Sequence, residues 1–233
     1  MKIKFILIYT TLTVILIDHH CFSQGFINLN FESATITTAP GFSFYVLESN
    51  AIPGWTATPL NGLDGNLYIG YDTISLGGAA VFLEDTNAFS GGGPLPLQGL
   101  YSILLQGYQG DTNNNDSNPL TASIGQTGQI PIGSESLEFW GAGLANFQIT
   151  FQGQVIPYFS IGNGSGYTIY EANISAFAGD TGQLLFTALA NGNGLIDNIQ
   201  FLTTPVPEPS VFGLSALGSL FPIWRRWRKF LQT

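Results

Sequence analysis

Phe147-Gln148-Ile149-Thr150-Phe151 alternates apolar and polar side chains at every step. Because successive side chains of a β-strand point to opposite faces, this alternation predicts a half-buried strand. Similar short runs, bounded by Gly, Asn, Asp or Pro, recur along the chain. They are Phe26–Phe31, Ala79–Leu83, Tyr101–Leu105, Leu137–Trp140, Tyr167–Tyr170, Gln183–Ala188 and Ile196–Phe201. No stretch combines a long 3.6-residue apolar period with helix caps, so we expect an all-β body.

The number of these runs indicates how the strands pack. About eight or more short strands separated by turns are typical of a β-sandwich or barrel. The composition can supply a core, since 45% of the 233 residues are hydrophobic and 9% are charged. No linker, repeat or change of composition divides residues 24–203, so we expect them to form one domain.

The charged residues are distributed unevenly. All six Lys and Arg residues lie at the two ends of the chain, at positions 2, 4, 225, 226, 228 and 229. The body between Gln24 and Pro207 has no Lys, Arg, His or Cys, but it has every acidic residue except Asp18 and Glu208. An acidic body without cations repels phosphate backbones, which argues against nucleic acid as a partner.

Residues 1–23 have the organisation of a secretory signal peptide. Lys2 and Lys4 precede an apolar run from Phe5 to Ile17, and a short polar segment follows as far as Ser23. This order predicts a signal helix, export by the secretory machinery and cleavage near Ser23. A retained N-terminal anchor is the alternative.

The C-terminal end carries a motif, an apolar segment and a cationic cap in that order. Pro207-Glu208-Pro209 precedes the apolar segment Val211–Trp224, and the cap is formed by Arg225, Arg226, Arg228 and Lys229. This arrangement resembles the PEP-CTERM sorting signal, a tail that is also catalogued as an ice-binding-protein C-terminal domain. The resemblance covers residues 205–233, and we assign residues 204–233 to the signal. It implies an exosortase-type enzyme that processes the chain near the Pro-Glu-Pro motif.

The charge and length of the tail agree with a temporary stop in the inner membrane. Cations after an apolar segment stay on the cytoplasmic side, which leaves the acidic body outside. The apolar segment has 14 residues. As a helix it would extend about 21 Å, against a hydrocarbon core of about 30 Å. We expect a short hydrophobic helix that holds the chain until processing, with an ordinary tail anchor as the alternative.

Short motifs mark the body of the chain. They are Asn28-Leu29-Asn30-Phe31-Glu32, Ile52-Pro53-Gly54-Trp55, Gln98–Leu105 and Leu195–Phe201. Their order is similar to that of galactose-binding-like jelly rolls, the fold of many carbohydrate-binding modules. The resemblance implies a jelly-roll β-sandwich, with the signal helix before it and the short hydrophobic helix after it.

The same resemblance implies a metal site. In such jelly rolls the first and last strands lie close together, and a Glu after the first strand can share a structural calcium ion with an Asp in the last. The matching residues are Glu32 and Asp197. Calcium takes carboxylate and carbonyl oxygens, which this body can supply. The alternative is that Asp197-Asn198 shapes the end of a strand.

A second oxygen-rich segment spans residues 111–118. Asp111, Asn113 and Asn115 alternate there as at the start of an EF-hand loop, but the Gly and the closing Glu of such a loop are missing. We interpret this segment as a flexible loop. Histidine-liganded zinc or copper is excluded because the body has no His. Apart from structural Ca²⁺, we expect no cofactor.

Aromatic side chains beside amides and carboxylates are typical of sugar-binding sites. Trp55, Tyr68 and Tyr71 have such neighbours in the sequence and are the candidate ligand-binding residues. For Trp55 we favour packing in the core, with sugar binding as the other interpretation. Tyr68 and Tyr71 lie three positions apart, so in a strand they point to opposite faces and form one platform only around a bulge.

Few residues of the body could support catalysis. A Ser or Cys nucleophile needs a base such as His or Lys, and neither is present. Carboxylates alone can hydrolyse glycosides, but the loose candidates Glu84-Asp85, Glu135, Glu138, Glu171 and Asp180 match no catalytic motif. We predict a non-catalytic exported protein of the cell surface or extracellular matrix. A carbohydrate-binding module for extracellular polysaccharide and a carboxylate-only glycosidase are the alternatives.

Overall fold

A computed structural model describes residues 25–74, 77–86, 94–110 and 120–206. The described residues form one short helix, α1 (Glu48–Ala51), a 3₁₀ turn at Ser175–Phe177, and 13 strands. The strands are β1 (Thr38–Ala39), β2 (Phe42–Leu47), β3 (Thr56–Thr58), β4 (Asn61–Leu63), β5 (Asn66–Tyr71), β6 (Ala80–Asp85), β7 (Tyr101–Gln106), β8 (Ala122–Gln129), β9 (Ser136–Phe151), β10 (Gln154–Ile156), β11 (Tyr158–Asn163), β12 (Thr168–Asn173) and β13 (Thr181–Leu202).

The strands form one continuous hydrogen-bonded sheet. Its main path runs β1-β2-β5-β6-β7-β13-β9-β12-β11, with β4 beside β5, β10 beside β9, and β8 and β3 attached to β13. Neighbouring strands pair antiparallel except β5 and β6, which are parallel. In the described part of the chain, no helix has the length and apolar character of a membrane span. Both predicted terminal helices lie outside the described residues.

The two longest strands divide this sheet into two layers. β9 and β13 pair with each other along most of their length. On its other edge, β13 pairs with β8 through residues 181–188 and with β7 through residues 193–196. We call the part with β7 the larger layer and the part with β8, β3 and β10 the smaller layer. The two paired strands β9 and β13, which we call the β9–β13 ribbon, run through both layers.

The ribbon bends between its two halves. The β9–β13 register shifts between Ala188 and Asn193 and again before Leu195. A Cβ atom at Gly192 would lie 2.5 Å from the Asn146 carbonyl oxygen, so the backbones pass too closely there for a side chain. The absence of a Cβ atom at Gly192 therefore permits the bend that turns one layer over the other.

The core lies between the layers. Phe139 in the larger-layer half of β9 and Phe186 in the smaller-layer half of β13 are both fully buried, with ring centroids 5.6 Å apart. Phe186 also packs against Trp55 and Phe147. Ile149 and Phe151 are fully buried as their alternation predicts. The predicted all-β sandwich is therefore confirmed.

The prediction of a strand over Phe26–Phe31 is wrong. Asn28 and Phe31 have positive φ angles, of 50° and 58°, which a strand does not allow. The segment is irregular but remains attached to the last strand, because Ile199 N–H donates to the Leu29 carbonyl over 2.9 Å. The first segment of the body and its last strand are thus neighbours, as the jelly-roll resemblance implies.

Candidate functional site

Glu32 holds the backbone that enters β7. Its Oε1 accepts hydrogen bonds from Leu100 N–H (2.9 Å) and Tyr101 N–H (3.2 Å). Gly99 has a φ of +64°, and a Cβ atom there would lie 2.1 Å from Glu32 Oε1. Glycine at this position is what lets the carboxylate approach the turn so closely.

Asp197 also accepts hydrogen bonds from the segment that leads into β7. It lies in β13 with 1% of its surface exposed. Its Oδ2 accepts hydrogen bonds from Gln98 N–H (3.1 Å) and the Ser102 hydroxyl (2.8 Å). Its Oδ1 accepts one from Asn198 N–H at 2.6 Å. The carboxylate therefore fixes the turn before β7 against the last strand.

The environment of Asp197 disfavours its charge. Burial raises the pKa of this carboxyl to about 6, although the hydrogen bonds from Ser102, Asn198 and Gln98 lower it, and the nearby charge of Glu32 raises it further. The structure thus brings Glu32 and Asp197 to one segment, as the calcium prediction requires. Protein donors already occupy oxygens of both side chains. The calcium site itself stays a prediction.

Glu84 is a buried acid near the end of β6. It is 0% exposed, and among the described residues neither of its carboxylate oxygens has a hydrogen-bond partner. The register places it opposite Ser102, whose hydroxyl donates to Asp197 instead. Burial first, and then the charges of Asp72 and Asp85, raise the pKa of Glu84 to about 8. The fold therefore holds a carboxyl where its ionised form is poorly stabilised.

Tyr71 takes part in a hydrogen bond next to this acid. Its hydroxyl donates to Asp85 Oδ2. Burial, followed by the hydrogen bond and charge of Asp85, raises the pKa of Tyr71 above its ordinary value. Burial also raises the pKa of Tyr101, which lies opposite Asp85 across β6 and β7. Both phenol rings are partly buried at the edge of the core.

The other two predicted ligand-binding aromatics are buried. Trp55 is 4% exposed and its ring lies 5.8 Å from that of Phe31, while its Nε1–H donates to the Asn28 carbonyl. Tyr68 is also 4% exposed. Neither ring has a face open for a sugar to stack on. The environment of Trp55 matches packing in the core, the interpretation that we favour for it.

The sequence interpretation did not single out an aromatic cluster on β2. Phe42 and Phe44 are 44% and 40% exposed, with ring centroids 5.8 Å apart. Tyr45 lies 4.8 Å from Phe44, which extends the cluster. The available signal was the alternation Phe42-Ser43-Phe44 directly after the turn at Gly41. It marks a strand with apolar side chains on the face that solvent reaches.

Several predicted sites lie outside the described residues. They are the sorting motif Pro207-Glu208-Pro209, the cap Arg225, Arg226, Arg228 and Lys229, the cleavage position near Ser23 and the segment 111–118. Within the described ranges, no group of three or more His, Cys, Asp and Glu residues is arranged to hold a metal ion. All of these assignments stay predictions.

The sequence matches no family model and no curated protein. Among solved structures, the enzymatically active domain of bacteriophage CBA120 tailspike protein 4 is 17% identical, with a TM-score of 0.34 over 63% of this chain and 19% of that one. TmCBM61, solved in complex with β-1,4-galactotriose, is 14% identical, with a TM-score of 0.35 over 77% of this chain and 97% of that one. The matched region covers a small part of the tailspike domain's length and nearly all of TmCBM61. Similarities of this size identify neither a family nor an activity.

Proposed function

We propose that this protein is a non-catalytic, exported component of the cell surface or extracellular matrix, sorted through a PEP-CTERM-like tail. The supporting observation is the separation of charge along the chain. Every Lys and Arg lies within four residues of the start or beyond position 224, and the body between them is acidic. Both ends can therefore stay on the cytoplasmic side while the β-sandwich is carried across the inner membrane.

The state of the buried acids supports the non-catalytic part of the proposal. A glycosidase needs two carboxyls that face a substrate from one cleft. Glu84 and Asp197 have raised pKa values, but they are 0% and 1% exposed. Asp197 is also engaged in holding the turn before β7. Neither acid is in contact with solvent, where a polysaccharide would bind.

The mass of the mature protein tests the sorting proposal. In the native host, we expect loss of residues 1 to about 23 and of the tail after about Pro207, because the export machinery and an exosortase-type enzyme each remove one end. Intact-mass spectrometry of the surface fraction measures both losses. Replacing Pro207-Glu208-Pro209 by Ala-Gln-Ala should retain the tail and keep the protein in the inner membrane.

Pro205→Ala is the matched control for that variant, because it removes a proline just before the motif. We expect it to lose the same two ends and to reach the same location as the wild type, with a mature mass lower only by the difference between proline and alanine. A surface protein that still carries residues 225–229 would show that the tail is a lasting anchor, and it would refute the proposed processing.

Binding of extracellular polysaccharide is a second candidate function. It is favoured by the cluster of the exposed Phe42 and Phe44 with the half-buried Tyr45, whose ring centroids lie 4.8–6.2 Å apart. Such a group of exposed aromatic rings can stack against the apolar faces of sugars. In this candidate function the sugar would contact β2 rather than Trp55, Tyr68 and Tyr71.

A polysaccharide array tests this function, with calcium present. The double variant Phe42→Ala/Phe44→Ala should bind its ligand about tenfold more weakly or worse, because it removes both exposed rings. Ile132→Ala, at a residue that is 85% exposed, is the control for losing surface hydrophobicity elsewhere. Absence of binding by the wild type, or equal binding by the double variant, would dismiss the candidate. Release of reducing sugars would contradict the non-catalytic proposal.

A further inference from the structure

Glu84 is in an unusual environment for a carboxyl group. In the described part of the chain neither of its oxygens receives a hydrogen bond, although the residue is completely buried. Buried carboxylates are normally stabilised by donors or by a positive charge. The nearest hydroxyl in the register, that of Ser102, has its proton committed to Asp197. Among the residues that the structure describes, Glu84 therefore has no donor in place of water.

The position of Glu84 in the sandwich brings a second acid beside it. Val81 and Leu83 point into the core, so Glu84 points to the opposite, outer face of the larger layer. On the neighbouring parallel strand, Tyr71 pairs with Leu83, and Asp72 N–H donates to the Leu83 carbonyl over 3.0 Å. Asp72 directly follows β5 and Glu84 directly follows Leu83, so both acids come next after the last pair of this ladder, and we infer that they lie side by side. The charge of Asp72 acts on Glu84, which agrees with this placement.

The side chains of Glu84 and Asp72 determine which kind of ion could bind between them. Both side chains offer oxygen, and the body has no Lys or Arg that could pair with them and no His or Cys that would attract zinc or copper. An oxygen-only, negatively charged environment suits a hard divalent cation. Calcium accepts irregular sets of oxygens, including carbonyls and water, whereas magnesium requires a nearly octahedral set.

We propose that a calcium ion binds at the outer face of the larger layer, with Glu84 and Asp72 as its carboxylate ligands. This site is separate from the predicted calcium position at Glu32 and Asp197, where backbone N–H groups and the Ser102 hydroxyl already bind the carboxylates. With two carboxylates the affinity should be low, in the range of about 10⁻⁴–10⁻³ M that extracellular calcium modules show.

The test uses the purified full-length chain after removal of metal with EGTA. Equilibrium dialysis with radioactive calcium measures the dissociation constant and the number of sites. We expect Glu84→Gln to weaken or remove one calcium site by at least about tenfold, since it removes a charged ligand while keeping the shape of the side chain. Glu135→Gln is the matched control, because Glu135 is exposed in the loop before β9.

Asp72→Asn keeps the test decisive if Glu84→Gln fails to fold. Asp72 has a φ of +53°, a conformation that Asn also tolerates, so this variant should fold and still bind calcium at least about tenfold more weakly. No calcium binding by the wild type up to about 10 mM would overturn the proposal. So would a loss of calcium in Glu32→Gln or Asp197→Asn while Glu84→Gln and Asp72→Asn bind normally. That result would place the calcium ion at Glu32 and Asp197 instead.

Discussion

Phe186→Ala should lower the free energy of unfolding by about 3–5 kcal/mol, the usual cost of removing a buried phenylalanine ring. Phe186 is fully buried, and its ring contacts Phe139 from the other layer as well as Trp55 and Phe147. The cavity would lie between the layers, where the paired backbones of the β9–β13 ribbon resist collapse. Urea unfolding of the purified chain measures the change.

Phe159→Ala is the control for that experiment. Phe159 lies on β11 at the edge of the larger layer and is 40% exposed. Its removal should change the free energy of unfolding by less than about 1 kcal/mol, as is usual for surface positions. If both variants lost the same stability, Phe186 would not be the contact that holds the two layers together.

Asp197→Ala should lower the free energy of unfolding by about 2–4 kcal/mol, since it leaves buried donors without an acceptor. The Ser102 hydroxyl and the N–H groups of Gln98 and Asn198 all donate to this carboxylate. Part of the loss is offset because a buried charge is also removed. The stability change is measured by the same urea titration.

Hydrogen exchange distinguishes this effect from a general loss of stability. In Asp197→Ala the Gln98 amide should exchange faster than the amides at the centre of β8, because its acceptor has gone. Asp180→Ala, at an exposed position in a turn, should leave both rates unchanged. Uniform acceleration across the sandwich would argue against a local role in holding the turn.

The sequence predicts the all-β architecture better than it predicts where the individual strands begin and end. Alternation around Ile149 and the apolar runs identified parts of β6, β7, β9, β12 and β13 correctly. The sequence interpretation separated Leu137–Trp140 from Phe147–Phe151, but the structure joins them in β9. Gly and Asn between such runs normally indicate turns, whereas here they form a bend within paired strands.

The candidate site was predictable in part. The proximity of Glu32 and Asp197 to one segment followed from the resemblance to galactose-binding-like jelly rolls. The burial of Tyr68 was not predicted, because an aromatic residue beside polar neighbours has the same sequence pattern in a core and on a surface. Trp140, at the end of the predicted run Leu137–Trp140, is half-buried, and its ring stacks on that of Tyr167 with centroids 4.2 Å apart. Neighbours in space, which a single sequence does not give, decide both outcomes.

The position of β13 in the chain also determines when the molecule can fold. Among the described residues β13 is the last strand, and it ends at Leu202. The strands β7, β8 and β9 all pair with it. A chain that emerges from a ribosome or a translocation channel with its N-terminus first cannot complete either layer until Leu202 has passed. Before that, β7, β8 and β9 can pair with β6, β3 and β12, but the β9–β13 ribbon that joins the two layers is missing. The two layers can therefore close over the core only after the last strand has become available.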